Sequence, residues 1–254
     1  MEFKKGDLVT RNSYSNDIIF VIEKIDEDIC YLKGKNIRLI ADAKKEDLKK
    51  YDGKIEEEEI EEVPKLERDD YFFIPGKILH IDADKDYLER SLEYYKNANI
   101  WVKGILEKEE NIASSIYSLL KEYNPNIVVI TGHDAYYKKR GKQDVLSNYK
   151  NSKYYVDAIK EARRYEKSHE KLIIIAGGCQ SDYEELIKAG ANFASSPKRI
   201  NIHALDPAII AVKMSTSDIN KDIDIKQILN STKYKTEGIG GIITKGTMYV
   251  GYPR

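Results

Sequence analysis

Cysteine is almost missing from this chain: Cys30 and Cys179 are the two in 254 residues. Two thiols cannot build the disulfide framework of a small secreted domain, which points to a reducing, cytoplasmic setting. Long apolar runs are missing as well. No segment approaches the roughly 18 uninterrupted apolar residues of a spanning helix, so no membrane span is expected. No apolar stretch follows Lys4 and Lys5, so no secretory signal is read at the N-terminus. An excess of one charge is absent too: 33% of residues are charged, yet the formal net charge is −1. Such a balance gives no global field to draw in nucleic acid, and no nucleic-acid partner is expected. Finally, no His/Cys/Asp cluster has ligand spacing, so neither a metal nor an organic cofactor is implied.

What is present divides into three stretches. Residues 1–52 contain short strand-like runs, Asp7-Leu8-Val9-Thr10, Ile18 to Ile22 and Ile29 to Leu32, with Asn36 to Ile40 as a further candidate. Turn residues separate them at the 8–12-residue spacing of small barrels. The opening Lys-Gly-Asp-Leu-Val resembles the first strand of SH3-like barrels. Residues 53–74 hold Glu56 to Glu59, Glu61 and Glu62. A like-charge block of this kind is a solvated linker. From residue 75 to 254, short β-branched runs alternate with segments of helical periodicity. Strands are expected at Lys77–Ile81, Ile100–Ile105, from Ile127, from Leu172, and at Ala191–Ala194. Helices are expected at Asp86–Lys96, Glu110–Tyr123, Val156–Glu166, Asp182–Lys188 and Pro207–Lys213. Strands and helices in this alternation form βαβ crossovers around a mostly parallel sheet covered on both faces. The Gly-rich end, Gly238 to Gly246, reads as a terminal hairpin.

Two of the buried runs finish on residues with chemistry. Ile127 to Ile130 leads into Thr131-Gly132-His133-Asp134, and Leu172 to Ile175 leads into Ala176-Gly177-Gly178-Cys179. Catalytic groups in parallel sheets gather at the carboxyl ends of strands. A thiol and an imidazole so placed form a nucleophile and its base. The helix beginning at Asp182 should turn its positive end toward the sulfur and favour the thiolate. His133 would take the thiol proton and return it to the leaving amine. Backbone N–H groups of Asp134, Cys179 and Gly178 are candidates for an oxyanion hole, and Gly177-Gly178 would let a substrate backbone come close. Of the other histidines, His80 should be buried, His169 solvated, and His203 near enough to approach the site.

The apolar run into His and the second run into Cys resemble the caspase–gingipain–legumain–separase superfamily, where the His lies about 50 residues upstream of a caspase-type Cys. More closely, Thr131-Gly132-His133-Asp134-Ala135-Tyr136 and Ala176-Gly177-Gly178-Cys179-Gln180-Ser181 resemble the YabG peptidases of spore-forming bacteria. The resemblance spans nearly the whole chain. It implies a caspase-like α/β domain, a His133–Cys179 dyad, and a sporulation-specific cysteine endopeptidase that processes spore coat and cortex-associated proteins. The setting it implies is the cytoplasm of the sporulating mother cell, with association to the spore coat. One departure is that His133 precedes Asp134, where many superfamily members have Gly.

In that superfamily the end of the first strand often supplies a charged residue to the specificity pocket. Asp84 and Asp82 stand there, with Asp134 a further candidate, and carboxylates would select Arg or Lys. The loop from residue 137 to 152 carries Lys138-Lys139-Arg140-Gly141-Lys142 and is a candidate for self-cleavage. Two alternatives stand beside the peptidase. One is a receiver-like signalling module, suggested by Asp82/Asp84 and by Ala189-Gly190-Ala191; the other is a non-catalytic interaction module of the spore coat.

Overall fold

The computed structural model describes residues 3–53 and 71–252. The acidic block expected as a linker falls in residues 54–70, outside the described residues. The chain divides into two compact units within that stretch, between Ile60 and Glu61.

The first unit is an antiparallel sheet of β1 (Leu8–Arg11), β2 (Phe20–Asp26), β3 (Ile29–Gly34), β4 (Ile40–Lys44) and β5 (Leu48–Lys50), in the order β4-β3-β2-β1-β5. Alternating residues face one way: Val9, Phe20, Ile22, Cys30, Leu32 and Leu48 form a single apolar cluster. Cys30 is a small buried hydrophobe here. The fourth strand lies later than Asn36–Ile40. Gly34 N–H donates to Leu39 O at 2.7 Å, and Lys33 pairs with Ile40, so most of the expected strand is the turn joining β3 to β4.

The second unit begins with β6 (Phe72–Ile74), three residues that composition alone groups with the acidic stretch. It continues through β7 (Ile78–Asp82), α1 (Lys85–Asn97), β8 (Val102–Leu106), α2 (Glu109–Tyr123), β9 (Ile127–Thr131), α3 (Ser152–Tyr165), β10 (Ile173–Ala176), α4 (Tyr183–Ala189), β11 (Phe193–Ser195), α5 (Asp206–Ser215), α6 (Ile225–Asn230), α7 (Lys235–Gly238), β12 (Ile239–Gly241) and β13 (Tyr249–Gly251). A six-stranded sheet has the order β12-β11-β10-β9-β7-β8. Its strands are parallel except for β12, which runs antiparallel to β11.

Strict alternation along the strands explains the two cores. Ile78, Val129, Ile173 and Ile175 pack with Tyr94 and Tyr95 of α1 and with Ile209 and Ile210 of α5. Leu79, Ile81, Val128, Ile130 and Ile174 pack on the other face with Ile112 and Ile116 of α2 and Ile159 of α3. A sheet buried on both faces reads as near-continuous apolar runs, which is why these strands stand out. Asp84 starts α1 by accepting from the amides of Asp86 (3.0 Å) and Tyr87 (3.2 Å). Gly190 ends α4 in the left-handed region at φ +117°.

The Gly-rich end is not a hairpin. β12 adds to the edge of the large sheet, while β13 pairs with β6 from the start of the unit. The sequence between them holds Gly and Thr but nothing that marks a tight two-residue turn, and each strand finds a longer-range partner. The winding of the large sheet reverses at β7, which lies between β8 and β9. Ligands in such sheets gather outside the carboxyl ends of strands at a reversal of this kind.

Candidate active site

The parallel register of β9 and β10 pairs Ile130 with Ala176. His133 and Cys179 each follow their paired residue by three positions, so the two loops leave the sheet side by side. Their backbones touch. A Cβ on Gly178 would lie 2.7 Å from Gly132 O, closer than any side chain tolerates, and 3.0 Å from Asp134 N. Gly177 is required for a different reason, since its φ is +111°. Gly178 therefore admits the protein's own His133 loop, and a Cβ on Gly177 would meet Leu186 and Ser195, so neither glycine stands open to a substrate backbone.

His133 is fixed at several points. Its N–H donates to Glu109 Oε1 at 2.8 Å. Its carbonyl accepts from Asn151 Nδ2 (2.7 Å) and from Tyr155 OH (3.1 Å). The ring lies against Tyr87, with centroids 5.7 Å apart. Its Nε2 is 3.0 Å from Asp84 Oδ2. Asp84 thus divides its two oxygens between the first turn of α1 and the imidazole.

Behind Asp84 is a buried polar chain. The Asp84 N–H donates to Asp82 Oδ1 at 2.9 Å, and Thr131 Oγ1 donates to Asp82 Oδ2 at 2.8 Å. His80 Nε2 lies 3.0 Å from Thr131 Oγ1, and His80 Nδ1 lies 2.8 Å from Tyr95 OH. Asp82 and His80 are fully buried. The burial of His80 is as the sequence implied; Asp82 has no surface on which a substrate could act.

Asp134 joins the His133 and Cys179 loops. Its Oδ1 accepts from the amides of Ala135 (2.8 Å) and Asn151 (2.7 Å). Its Oδ2 accepts from Ser152 Oγ and, at 2.8 Å, from Ser181 Oγ. Ser181 Oγ in turn accepts from Gly178 N–H at 2.9 Å. Burial pushes the Asp134 carboxyl above its ordinary value, against the four hydrogen bonds that favour its charge. Two expectations change in consequence. The Gly178 N–H is taken by Ser181, and the Asp134 carboxylate is taken by the loops, so the first is no oxyanion donor and the second no specificity group in this form.

Cys179 is fully buried. The segment between β11 and α5 lies across it. Ile202 N–H donates to Sγ at 3.3 Å, and Gln180 N–H donates to Ile200 O at 3.0 Å. That second bond draws Ile200 alongside Gln180 as one strand draws its neighbour. His203, next along, is buried, and its Nδ1 accepts from Leu205 N–H at 3.3 Å. His169 is half-buried rather than solvated, and burial lowers its pKa. The helix beyond Cys179 is short, and its first turn carries Glu184 and Glu185, which offset the positive helix end expected to face the sulfur. Two clefts of about 400 and 380 Å³ lie at the opposite, amino end of the strands, around Asn126, Lys171 and Tyr249.

The sequence did not single out Arg199. Its side chain is 7% exposed. Nε donates to Tyr149 OH at 2.6 Å, and Nη1 donates to Ser196 O at 3.3 Å. Nη2 donates to Asp182 Oδ1 at 3.3 Å and also to Glu184 Oε2. The signal for this cage was weak, because Tyr149, Asp182 and Arg199 come from three separate loops. Asp84 was visible as an acidic residue at a strand end, but its bond to His133 needed the sheet order to be known.

Comparison with known proteins gives two findings. The family model described as YabG peptidase U57 matches residues 4–67 and 54–253. The chain is also similar to the sporulation-specific protease YabG of Bacillus subtilis (strain 168), with 40% identity over 286 residues, covering 100% of this chain and 99% of that protein.

Proposed function

The chain belongs to the YabG peptidase family, and from that premise we propose that it is a cysteine endopeptidase of sporulation. In this reading Cys179 is the nucleophile, His133 the general acid–base, and Asp84 the carboxylate that orients the imidazole. The observation that carries it is the equal offset of His133 and Cys179 from a paired register, with Asp84 on the Nε2 side of the ring.

A carboxylate on Nε2 holds the proton there and makes Nδ1 the nitrogen that works. Nδ1 takes the Sγ proton, and the thiolate attacks the carbonyl carbon of the scissile peptide. The oxygen becomes an oxyanion, for which the amides of Cys179 and Asp134 are the donors; one such donor is worth about 2.7–4 kcal/mol in acyl transfer. Collapse expels the amine, which receives the proton from Nδ1. Water then attacks the thioester, giving up its proton to the same nitrogen, and the acid product leaves with the thiol restored.

The α/β unit is read as caspase-like and the N-terminal sheet as an SH3-like module. Substrates are proteins of the spore coat or cortex, met in the mother-cell cytoplasm or at the coat. Bonds beside Arg or Lys are preferred, because Asp84 and Glu109 contact His133 and Asp182 and Glu184 follow closely after Cys179, so that acidic groups near the dyad favour a cationic peptide. The 137–152 loop suits self-cleavage, since Lys138, Lys139 and Arg140 are exposed on it. The test is a candidate coat protein incubated with wild type, Cys179→Ala and His133→Ala. Wild type should cut it and neither variant should; full cutting by both variants would overturn the assignment.

A further inference from the structure

Among the groups that hold the segment over Cys179 is one arginine, and that arginine sits in a site built for a guanidinium. Arg199 is surrounded by the Tyr149 hydroxyl, the Ser196 carbonyl, and the carboxylates of Asp182 and Glu184. Its Cζ is 5.5 Å from the centre of the Tyr149 ring. Asp182 is nearly fully buried, and its second oxygen, Oδ2, is buried with no hydrogen-bond partner among the described residues. A buried carboxylate oxygen left without a donor is costly, and burial does raise the pKa of Asp182. The pocket therefore holds more acceptor capacity than Arg199 uses.

The position of this pocket matters as much as its chemistry. Asp182 is three residues past Cys179. The chain that carries Arg199 pairs with the Cys179 loop through Gln180 N–H to Ile200 O at 3.0 Å and through Ile202 N–H to Sγ at 3.3 Å. Gln180 Nε2 adds a bond to Asn201 Oδ1 at 3.1 Å. Arg199 closes a turn, its N–H donating to Ser196 O at 2.8 Å, and residues 200–202 then run beside the nucleophile; a chain bonded to the Cys179 loop with an arginine in an acidic pocket is what a bound substrate would present.

We propose that Tyr149, Asp182 and Glu184 form the pocket that receives a substrate arginine, and that Arg199 fills it in the closed form and holds residues 196–202 over Cys179. The proposal rests on Cys179 being the nucleophile. A substrate arginine replaces Arg199, takes both oxygens of Asp182 in the bidentate manner open to a planar guanidinium, and lets the segment swing away. Lysine, with one compact charge, cannot make that paired contact. The enzyme is thus selective for Arg over Lys, and it opens when an arginine-bearing chain arrives.

Three measurements test this. Arg199→Ala should speed alkylation of Cys179 by iodoacetamide by about tenfold or more, as the covering segment loosens. The same variant should bind agmatine in calorimetry, where wild type does not, and adding Glu184→Gln and Asp182→Asn should abolish that binding. Glu184→Gln alone suits a fold-neutral control, because its side chain is 55% exposed; it should lower the Arg-over-Lys ratio of kcat/KM on matched peptides. Agmatine failing to bind Arg199→Ala, together with an unchanged Arg-over-Lys ratio in Glu184→Gln, would overturn the proposal while leaving the peptidase intact. Agmatine binding in the absence of any peptide cleavage by wild type would instead sink the peptidase reading, leaving a guanidinium site.

Discussion

At the scale of single residues, two carboxylates carry different work. Asp84 caps α1 with one oxygen and meets His133 with the other. Asn caps a helix about as well as Asp, so Asp84→Asn separates the two tasks. We expect kcat on a peptide substrate to fall by about 10²-fold or more, in line with the contribution of an oriented acid–base group, while the melting temperature barely moves. Equal loss of stability and activity would mean that Asp84 is a cap alone. Asp134 has a pKa raised by burial above its reference of 3.8. A raised acid stabilises the fold fully below its unfolded pKa and loses that contribution as pH climbs through the folded value. Wild type should therefore lose stability relative to Asp134→Asn as pH rises from about 4, read from parallel urea melts. A difference that grew in favour of wild type with pH would contradict this.

At the scale of elements, the strands and helices of the α/β unit were legible because both periodicities are clean. β9 is an uninterrupted β-branched run and β10 is one up to Ala176, and α2 places Ile112, Ile116 and Leu120 on one buried stripe. α3 begins at Ser152, ahead of the Val156 expected, because its first turn, Ser152-Lys153-Tyr154-Tyr155, holds no aliphatic residue to extend the apolar period. The small helices α6 and α7 were missed because each is barely a turn or two long. His133 and Cys179 were legible from the ends of two strands. The Asp84 bond and the Arg199 cage were not, since both depend on which strand lies beside which and on loops that carry no periodicity. The touching of the His133 and Cys179 loops gives a prediction at this scale. Gly178→Ala must push Gly132 O away from a contact of 2.7 Å, at a cost of roughly 1–3 kcal/mol from overpacking. Activity should fall with it, because the same shift moves the Asp134 amide. A fully active variant of unchanged stability would show that the loops are slack.

At the scale of the whole molecule, the two units have separate apolar cores, one around Phe20 and Ile22 and the other on both faces of the large sheet. Separate cores unfold separately unless an interface couples them. Differential scanning calorimetry should resolve two transitions, and one concerted transition would show the two cores to unfold as a single unit. No helix among the described residues is long and apolar enough to cross a membrane. The family match covers both units, so the sheet of the first unit is part of what the family shares. The central claim is that Cys179, assisted by His133, attacks the peptide. Its most direct test is labelling of the intact protein with a peptidyl acyloxymethyl ketone that carries arginine, followed by peptide mass spectrometry. The account predicts a thioether on Cys179, lost in Cys179→Ala and strongly slowed in His133→Ala, with Cys30 untouched. Peptide cleavage that persisted in Cys179→Ala, or a label that landed elsewhere, would contradict it.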